Sequence, residues 1–346
     1  MVCANDLRRF IEQLMPGSEV MSLIRGGIKG WPSDHAQNVL SCAFTAPSSS
    51  LRAYRPPDQY MMYILNESIR DIEKYGEELT DELAEVLIGE QRGDGAGFVT
   101  YDMTGGGESL WPVTCRVQRA HQQVGCRIWE SGVFMGELLV GMAQEGSFCG
   151  KTIVELGAGI GQSALLLASC KRSPATIIMT DSSEEVLSNL RGNVEIHERN
   201  QAAFLHREGL EKENARECEL ITSHLNWATV TRDECLALGA DVVVAADCLY
   251  AEDLIPGFVR ALKLFLGAPS TKKAPDTLVV CTMRSEDTFA VFTREIESGA
   301  SFLDYEVVTD WAKSFILKSG PRFMASRSND IFVIKISVRD DASLQA

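Results

Sequence analysis

Apolar positions follow two different rhythms along the chain. In the first 95 residues they recur at helical spacing. After Pro56 and Pro57, the residues Met61, Ile64, Leu65, Ile69 and Ile72 share one face while Asp71, Glu73 and Lys74 lie off it, which predicts a helix beginning near Asp58. Leu83, Val86 and Leu87 predict a second helix over Thr80 to about Glu90, and Asp6 to Met15 reads as a shorter one. Pro16, Gly17, Gly26, Gly27, Gly30 and Pro32 predict broken chain, and Pro47 to Ser50 a further loop. From residue 152 the rhythm changes to compact apolar runs near 152–156, 175–180, 218–225, 241–246 and 277–283. Helical patterns alternate with them near 162–170, 183–193, 231–238, 253–266 and 286–297. Such alternation predicts a parallel sheet covered on both faces. Ile331 to Val338 has no helix after it, and with Tyr305 to Val308 it predicts a terminal hairpin that adds an antiparallel strand.

Between these regions Gly93 to Gly97 reads as a flexible joint. Phe98 to Met103 and Leu110 to Val117, separated by Gly105 to Gly107, predict a β-hairpin. Ile128, Trp129, Val133, Phe134, Leu138 and Leu139 then predict a helix leading to the loop at Gly146 to Gly150. The expected organisation is a helical region over 1–95, a β-hairpin connector over 96–128 and an α/β domain over 129–346. No internal repeat interrupts it.

Composition narrows the function classes. The 346 residues are 45% hydrophobic, which is globular composition with room for a sizeable core. The net charge of -15 argues against an extended phosphate-binding surface and so against direct nucleic-acid binding; it suits a basic partner, and solubility explains it equally well. Ten cysteines are scattered without a C-x-x-C, and Cys170, Cys248 and Cys281 lie in apolar runs, which implies a reducing compartment. His121, His197, His206 and His224 form no ligand pair, so no metal is expected. Asp6, Arg8, Arg9 and Glu12 interrupt any leader-like apolar stretch, and no run approaches a membrane span. Cytosol is the default compartment, with nuclear access left open.

The most informative stretch is Thr152 to Gln162, where an apolar strand with an acid near its end passes into Gly157, Ala158, Gly159, Ile160 and Gly161 and then a helix. Glycines allow a sharp turn and close approach of a ligand. A dinucleotide turn reads G-x-G-x-x-G and offers helix N-terminal amides to a pyrophosphate. Here Gln162 stands where the third glycine of that pattern falls, and Glu155 precedes the first glycine by two residues. A carboxylate there suits the cationic, amine-bearing end of S-adenosylmethionine better than a phosphate. The next strand ends at Asp181, about where such folds place an acid for ribose hydroxyls. That Asp also reads as a helix N-terminal acid, because Ser182 and Glu185 make an S-x-x-E capping box.

Ligands of open α/β sheets bind beyond the C-terminal ends of the strands, so the remaining strand ends matter. They are Asn226 and Trp227 on the third, and Ala246 followed by Asp247, Cys248, Leu249 and Tyr250 on the fourth. Trp227 reads either as a platform for a flat adenine or as a core aromatic capping the sheet. Asp247 and Tyr250, three apart on a strand-to-helix turn, read either as one wall of a cleft that holds an amine or as a helix cap with a buried phenol.

Trp129, Glu155-Leu-Gly-Ala-Gly-Ile-Gly161, Asp181, Asn226-Trp227 and Asp247-Cys-Leu-Tyr250 together resemble the seven-β-strand protein-lysine methyltransferases with a D-x-x-Y motif. Tyr54-Arg-Pro-Pro-Asp-Gln-Tyr60, Leu190-Arg-Gly-Asn-Val194 and Cys281-Thr-Met-Arg284 are similar to the branch that acts on eukaryotic elongation factor 2, so that the likeness spans about residues 51 to 338. Glu130 stands where relatives carry Asp, and Gln162-Ser163 where they carry a more apolar pair. The resemblance implies a Rossmann-like, seven-stranded α/β methyltransferase sheet with helices on both faces, preceded by the helical region and hairpin. It also implies a monomer that uses S-adenosylmethionine to methylate a lysine of a protein partner, elongation factor 2. Trp129, Glu155, Gly157, Ala158, Gly159, Gly161, Asp181, Ser182, Asn226, Trp227 and Ala246 would line the cofactor pocket, and Asp247 and Tyr250 the lysine channel.

Overall fold

The computed structural model describes residues 2–45, 54, 56–89, 97–102, 111–118, 124–209, 218–267, 274–298, 302–319 and 330–339. The chain divides into two compact units, Met1–Asp102 with Pro112–Arg127, and Met103–Trp111 with Ile128–Ala346. Among the described residues no helix is long and apolar enough to cross a membrane.

The first unit holds α1 (Ala4–Glu12), α2 (Gly17–Gly27), α3 (Asp34–Thr45), α4 (Asp58–Tyr75) and α5 (Asp81–Gly89), then the antiparallel pair β1 (Gly97–Tyr101) and β2 (Val113–Val117). Leu7, Ile11, Val20, Ile24, Leu40, Ile64 and Leu65 are buried in its core. Gln37, fully buried on α3, donates to the carbonyls of Pro32 and Glu78 and accepts from the Thr80 amide, so one side chain satisfies two loops. The stretch expected to be broken by Pro16 to Pro32 instead carries α2. Pro16 sits at its N-cap, where the missing N–H is harmless, and the Gly26-Gly27 pair falls in its last turn. Helix α3 was not expected either, because Asp34, Gln37, Asn38 and Ser41 dilute its apolar stripe. The expected joint at 93–96, the hairpin turn at 103–110, the loop at 47–50 and His121 lie outside the described residues.

The second unit contains α6 (Glu130–Gln144), β3 (Thr152–Leu156), α7 (Gln162–Ala168), β4 (Thr176–Asp181), α8 (Glu184–Glu208), β5 (Glu219–His224), α9 (Arg232–Ala237), β6 (Val242–Ala246) and α10 (Ile255–Leu266). It continues through β7 (Asp276–Thr282), α11 (Glu286–Glu297), β8 (Leu303–Val307), α12 (Thr309–Ser319) and β9 (Ile331–Val338). Its seven-stranded sheet runs β5-β4-β3-β6-β7-β9-β8. The first five strands are mutually parallel, and β9 inserts antiparallel between β7 and β8. β6 reads Val-Val-Val-Ala-Ala because both faces of a central parallel strand are buried. On one face Val154, Leu156, Val243 and Ala245 pack with Phe258, Leu262, Phe292 and Ile296, and Trp227 closes the edge of that core.

Three details differ from expectation. α8 runs past 193 to Glu208 and ends on Gly209 at φ +65, since polar residues on its outer face hide its length from an apolar-period reading. Its N-cap is Ser183, whose hydroxyl accepts from the Val186 amide at 3.4 Å, so the Ser182–Glu185 capping box does not form. The terminal pair β8 and β9 is antiparallel as expected, but α12 lies between the strands, so it is a crossover and not a hairpin.

Candidate active site

The strand order changes direction across β3 and β6, and the candidate residues lie at the ends of β3, β4, β5 and β6 and just beyond β7. Gly157, Gly159 and Gly161 all have positive φ, at +68, +56 and +76. The turn needs glycine for space as well as torsion. A Cβ at Gly157 would lie 3.0 Å from both Trp227 Cζ2 and Cys248 Sγ, and one at Gly161 would strike Leu190 Cδ1 and lie 3.2 Å from Met179 Sδ. The Ala158 amide donates to the Thr180 carbonyl at 2.8 Å, which couples the turn to β4. Asn193, fully buried on α8, donates from Nδ2 to the Ile160 carbonyl at 2.9 Å and holds the turn from below.

Glu155 is buried at 2% exposure on β3. Its Oε1 accepts from the Ser163 hydroxyl, while its Oε2 is buried without a hydrogen-bond partner. Burial pushes its pKa up to about 7, against the lowering effect of the Ser163 and Ala164 donors. Asp181 ties two turns together: Oδ2 accepts from the Gly159 amide at 3.4 Å and Oδ1 from the Ser183 amide at 3.0 Å. Burial raises its pKa as well. The helix-start role read for this acid in the sequence is met by the Ser183 contact, and the Gly159 contact ties the same carboxylate to the glycine turn. Ser182 beside it is exposed.

Asn226 is exposed and caps its own turn, with Oδ1 accepting from the Ala228 amide at 2.9 Å. Trp227 is half-buried, packs edge-on against Phe258 with centroids 5.1 Å apart, and presents its six-membered ring to Gly157. Ala246 ends β6, half-buried. Asp247 follows in the left-handed region at φ +55, an uncommon torsion for a residue with a side chain. Its amide donates to the Val280 carbonyl at 2.8 Å, and its buried carboxylate turns toward the chain leaving β7. There Oδ1 accepts from Arg284 Nη1 at 3.1 Å and from the Thr282 amide at 3.4 Å, and Oδ2 accepts from Arg284 Nη2 at 2.6 Å. The Arg284 guanidinium carbon stands 4.9 Å from the centroid of the Trp129 ring. Tyr250 is 45% exposed, and its pKa is raised by partial burial, then by the charges of Cys248, Asp181, Asp253 and Asp247.

Three contributors escaped the reading of single residues. Arg284 entered only as part of a resembling segment, although it clasps Asp247; Asn193 likewise. Ser163 was seen as a departure, yet it supplies the hydroxyl on Glu155. Across the described residues no cluster of His, Cys, Asp or Glu could hold a metal.

The charge state of Glu155 has a measurable consequence. In an unfolded chain the acid titrates near 4.5 and in the fold near 7, so the folded state binds an extra proton between these values and loses stability as pH rises through them, by about 3 kcal/mol. His197 works in the opposite sense: it is buried, accepts from Trp111 Nε1 at 3.3 Å, and burial lowers its pKa from 6.5 to about 4. Stability from His197 is therefore lost as pH falls from 6.5 toward 4, and the two slopes offset each other over their common window. In Glu155→Gln the Glu155 slope is gone while that of His197 and of the other titrating groups is kept. Urea unfolding of both proteins from pH 4 to 8 should show the variant gaining up to about 3 kcal/mol on the parent by pH 8; a difference constant with pH would refute the assignment.

A family model described as lysine methyltransferase matches residues 115–298, which is more than half of the chain. Protein-lysine N-methyltransferase EEF2KMT of Mus musculus is 34% identical over 182 residues, 51% of this chain and 50% of the relative. That match spans about half the length of the relative. Putative protein N-methyltransferase FAM86B1 of Homo sapiens is 27% identical over 243 residues, 70% of this chain and 71% of that one. EEF2KMT of Homo sapiens is 27% identical over 259 residues, 73% of each chain. The matched span runs from β2 through α11 and takes in the glycine turn, Asp181, Trp227, Asp247 and Arg284; the chain belongs to the lysine methyltransferase family.

Proposed function

We propose that the chain is an S-adenosylmethionine-dependent protein-lysine N-methyltransferase acting on elongation factor 2. The observation that carries the cofactor is the buried Glu155, whose Oε2 has no hydrogen-bond partner, at the end of the strand that enters a glycine turn where Gly157 and Gly161 leave no room for a Cβ. A buried carboxyl group with one oxygen left unpaired suits a cationic ligand group. In this reading Glu155 faces the amino end of the cofactor, Gly157, Ala158, Gly159 and Gly161 form the floor, and Asp181 with Ser182 takes the ribose hydroxyls. Trp129, Asn226, Trp227 and Ala246 line the adenosine side. Asp181 spends two acceptor directions on backbone amides and keeps others for hydroxyls.

When bound, S-adenosylmethionine supplies an electrophilic methyl group; the chain's task is to position a nucleophile and exclude water. A lysine amine, with a reference pKa near 10.4, must shed a proton before its lone pair is free. Asp247 has about four acceptor directions, three of which are taken by Arg284 and the Thr282 amide, and the remaining one orients the amine. Tyr250, half-exposed, packs along the methylene stem of the incoming lysine.

The substrate assignment is supported by the relatives named EEF2KMT and by the Pro56-Pro57 helix α4. It makes cytoplasm the working compartment. Incubation with methyl-labelled S-adenosylmethionine and purified elongation factor 2, followed by peptide mapping, should place label on a single lysine. Label found only on another protein of a cell extract would move the substrate, and failure to bind the cofactor in calorimetry would overturn the enzymatic reading.

A further inference from the structure

The acid of the D-x-x-Y motif does not wait alone for a substrate cation. Arg284 grips it with both terminal nitrogens, at 3.1 and 2.6 Å, from the segment that leaves β7. The pair is asymmetric. The Asp247 side chain is 7% exposed and the Arg284 side chain 42%, so the carboxylate is buried while the guanidinium lies across its outer side, stacked on Trp129. A bidentate guanidinium on a buried carboxylate is among the stronger charged contacts, and a lysine, as a compact point charge, does not reproduce its fork. Two further constraints hold the carboxylate in this direction, the left-handed backbone at Asp247 and the amide of Thr282.

We infer that Arg284 is a positioning residue that neutralises Asp247 and thereby selects the uncharged form of the acceptor amine. This rests on the reading above, in which Asp247 meets that amine. A bare carboxylate at the reacting nitrogen would favour ammonium, the form without a lone pair, whereas a carboxylate already bound to a guanidinium offers an acceptor direction without net negative charge. The other ionisable groups near this point are Tyr250, Asp253 and Cys248 beyond β6, Asp181 at the end of β4 with His224 of β5 beside it, Cys281 on β7 and Glu155 on β3. Arg284 is the one permanent cation among these groups, so its removal strips the standing positive charge from beside the amine.

The test is the pH profile of kcat from pH 6.5 to 10 with saturating S-adenosylmethionine and purified elongation factor 2, for the parent, Arg284→Gln and Arg284→Lys. In Arg284→Gln the rising limb should move to higher pH by about one to two units, which lowers turnover at pH 7 about 10- to 100-fold and restores most of it by pH 10. Arg284→Lys keeps the charge and loses the fork and the stacking. Its plateau should fall while its midpoint stays within about half a unit of the parent. Equal losses at every pH in both variants would mark Arg284 as a structural brace and overturn the inference. Should Arg284→Gln fail to fold, Arg284→Lys decides alone, since a midpoint displaced by about a unit or more despite the retained charge also overturns it. Asp247→Ala separates the two layers: full turnover there removes the acceptor reading and this inference with it, whereas a dead Asp247→Ala beside an unmoved Arg284→Gln profile removes only the role of Arg284.

Discussion

Asp247→Ala should lower methyl transfer about 1000-fold while leaving S-adenosylmethionine affinity within about threefold, as read by turnover and by calorimetry. The expectation follows from where the carboxylate is spent. None of its described contacts reaches the glycine turn; they go to Arg284 and to the Thr282 amide, so its loss falls on the acceptor side of the site. The stability effect is secondary. Arg284 is half-exposed and regains water when its partner goes, and the main penalty is alanine at φ +55, about 1–2 kcal/mol. Asp247→Asn keeps the side-chain shape and tolerates the left-handed torsion better, so it isolates the charge. It should lose turnover to a similar degree and melt close to the parent. Undiminished turnover in Asp247→Ala would remove Asp247 from the reaction, and undiminished turnover in Asp247→Asn would show that an acceptor oxygen suffices without the charge.

Gly161→Ala should be the most damaging single methyl in the second unit. The torsion of +76 costs about 1–2 kcal/mol for any residue with a Cβ. The added carbon would collide with Leu190 Cδ1 and crowd Met179 Sδ, and both neighbours are completely buried, so overpacking adds about 1–3 kcal/mol. Together these are a sizeable share of the stability of an ordinary domain. Thermal unfolding should drop by several degrees, and cofactor binding should be lost, because relief requires moving either the turn or α8. A Gly161→Ala protein with the parent's melting temperature would show that α8 yields, contrary to this packing.

The parts legible in the sequence are those where one residue type answers one local demand. The Val-Val-Val-Ala-Ala of β6 reads as a buried strand by its branched side chains and length, and three glycines within five residues read as a tight turn. What escaped reading depends on distant partners. Asn193 looks like a polar residue in an amphipathic helix until the Ile160 carbonyl is placed against it. Arg284 looks like a surface charge after a strand until β7 is set beside β6 and brings it to Asp247. Helix α2 was hidden for a different reason, because a proline at a helix start and glycines at its end carry the same letters as a loop.

The glycine turn is braced on every side by groups that are themselves fixed: the Thr180 carbonyl on Ala158, the Asp181 carboxylate on Gly159, Asn193 on Ile160, and Leu190 under Gly161. A floor held in this way needs no ordering when the cofactor arrives, so little entropy is lost there and little discrimination is gained by closing it. The spent cofactor differs from the fresh one by a methyl group and a positive charge. On the proposed reading the rigid floor grips the adenosine that both share, so the departure of product would be driven from the charged end, on the side of the buried Glu155 oxygen that has no hydrogen-bond partner.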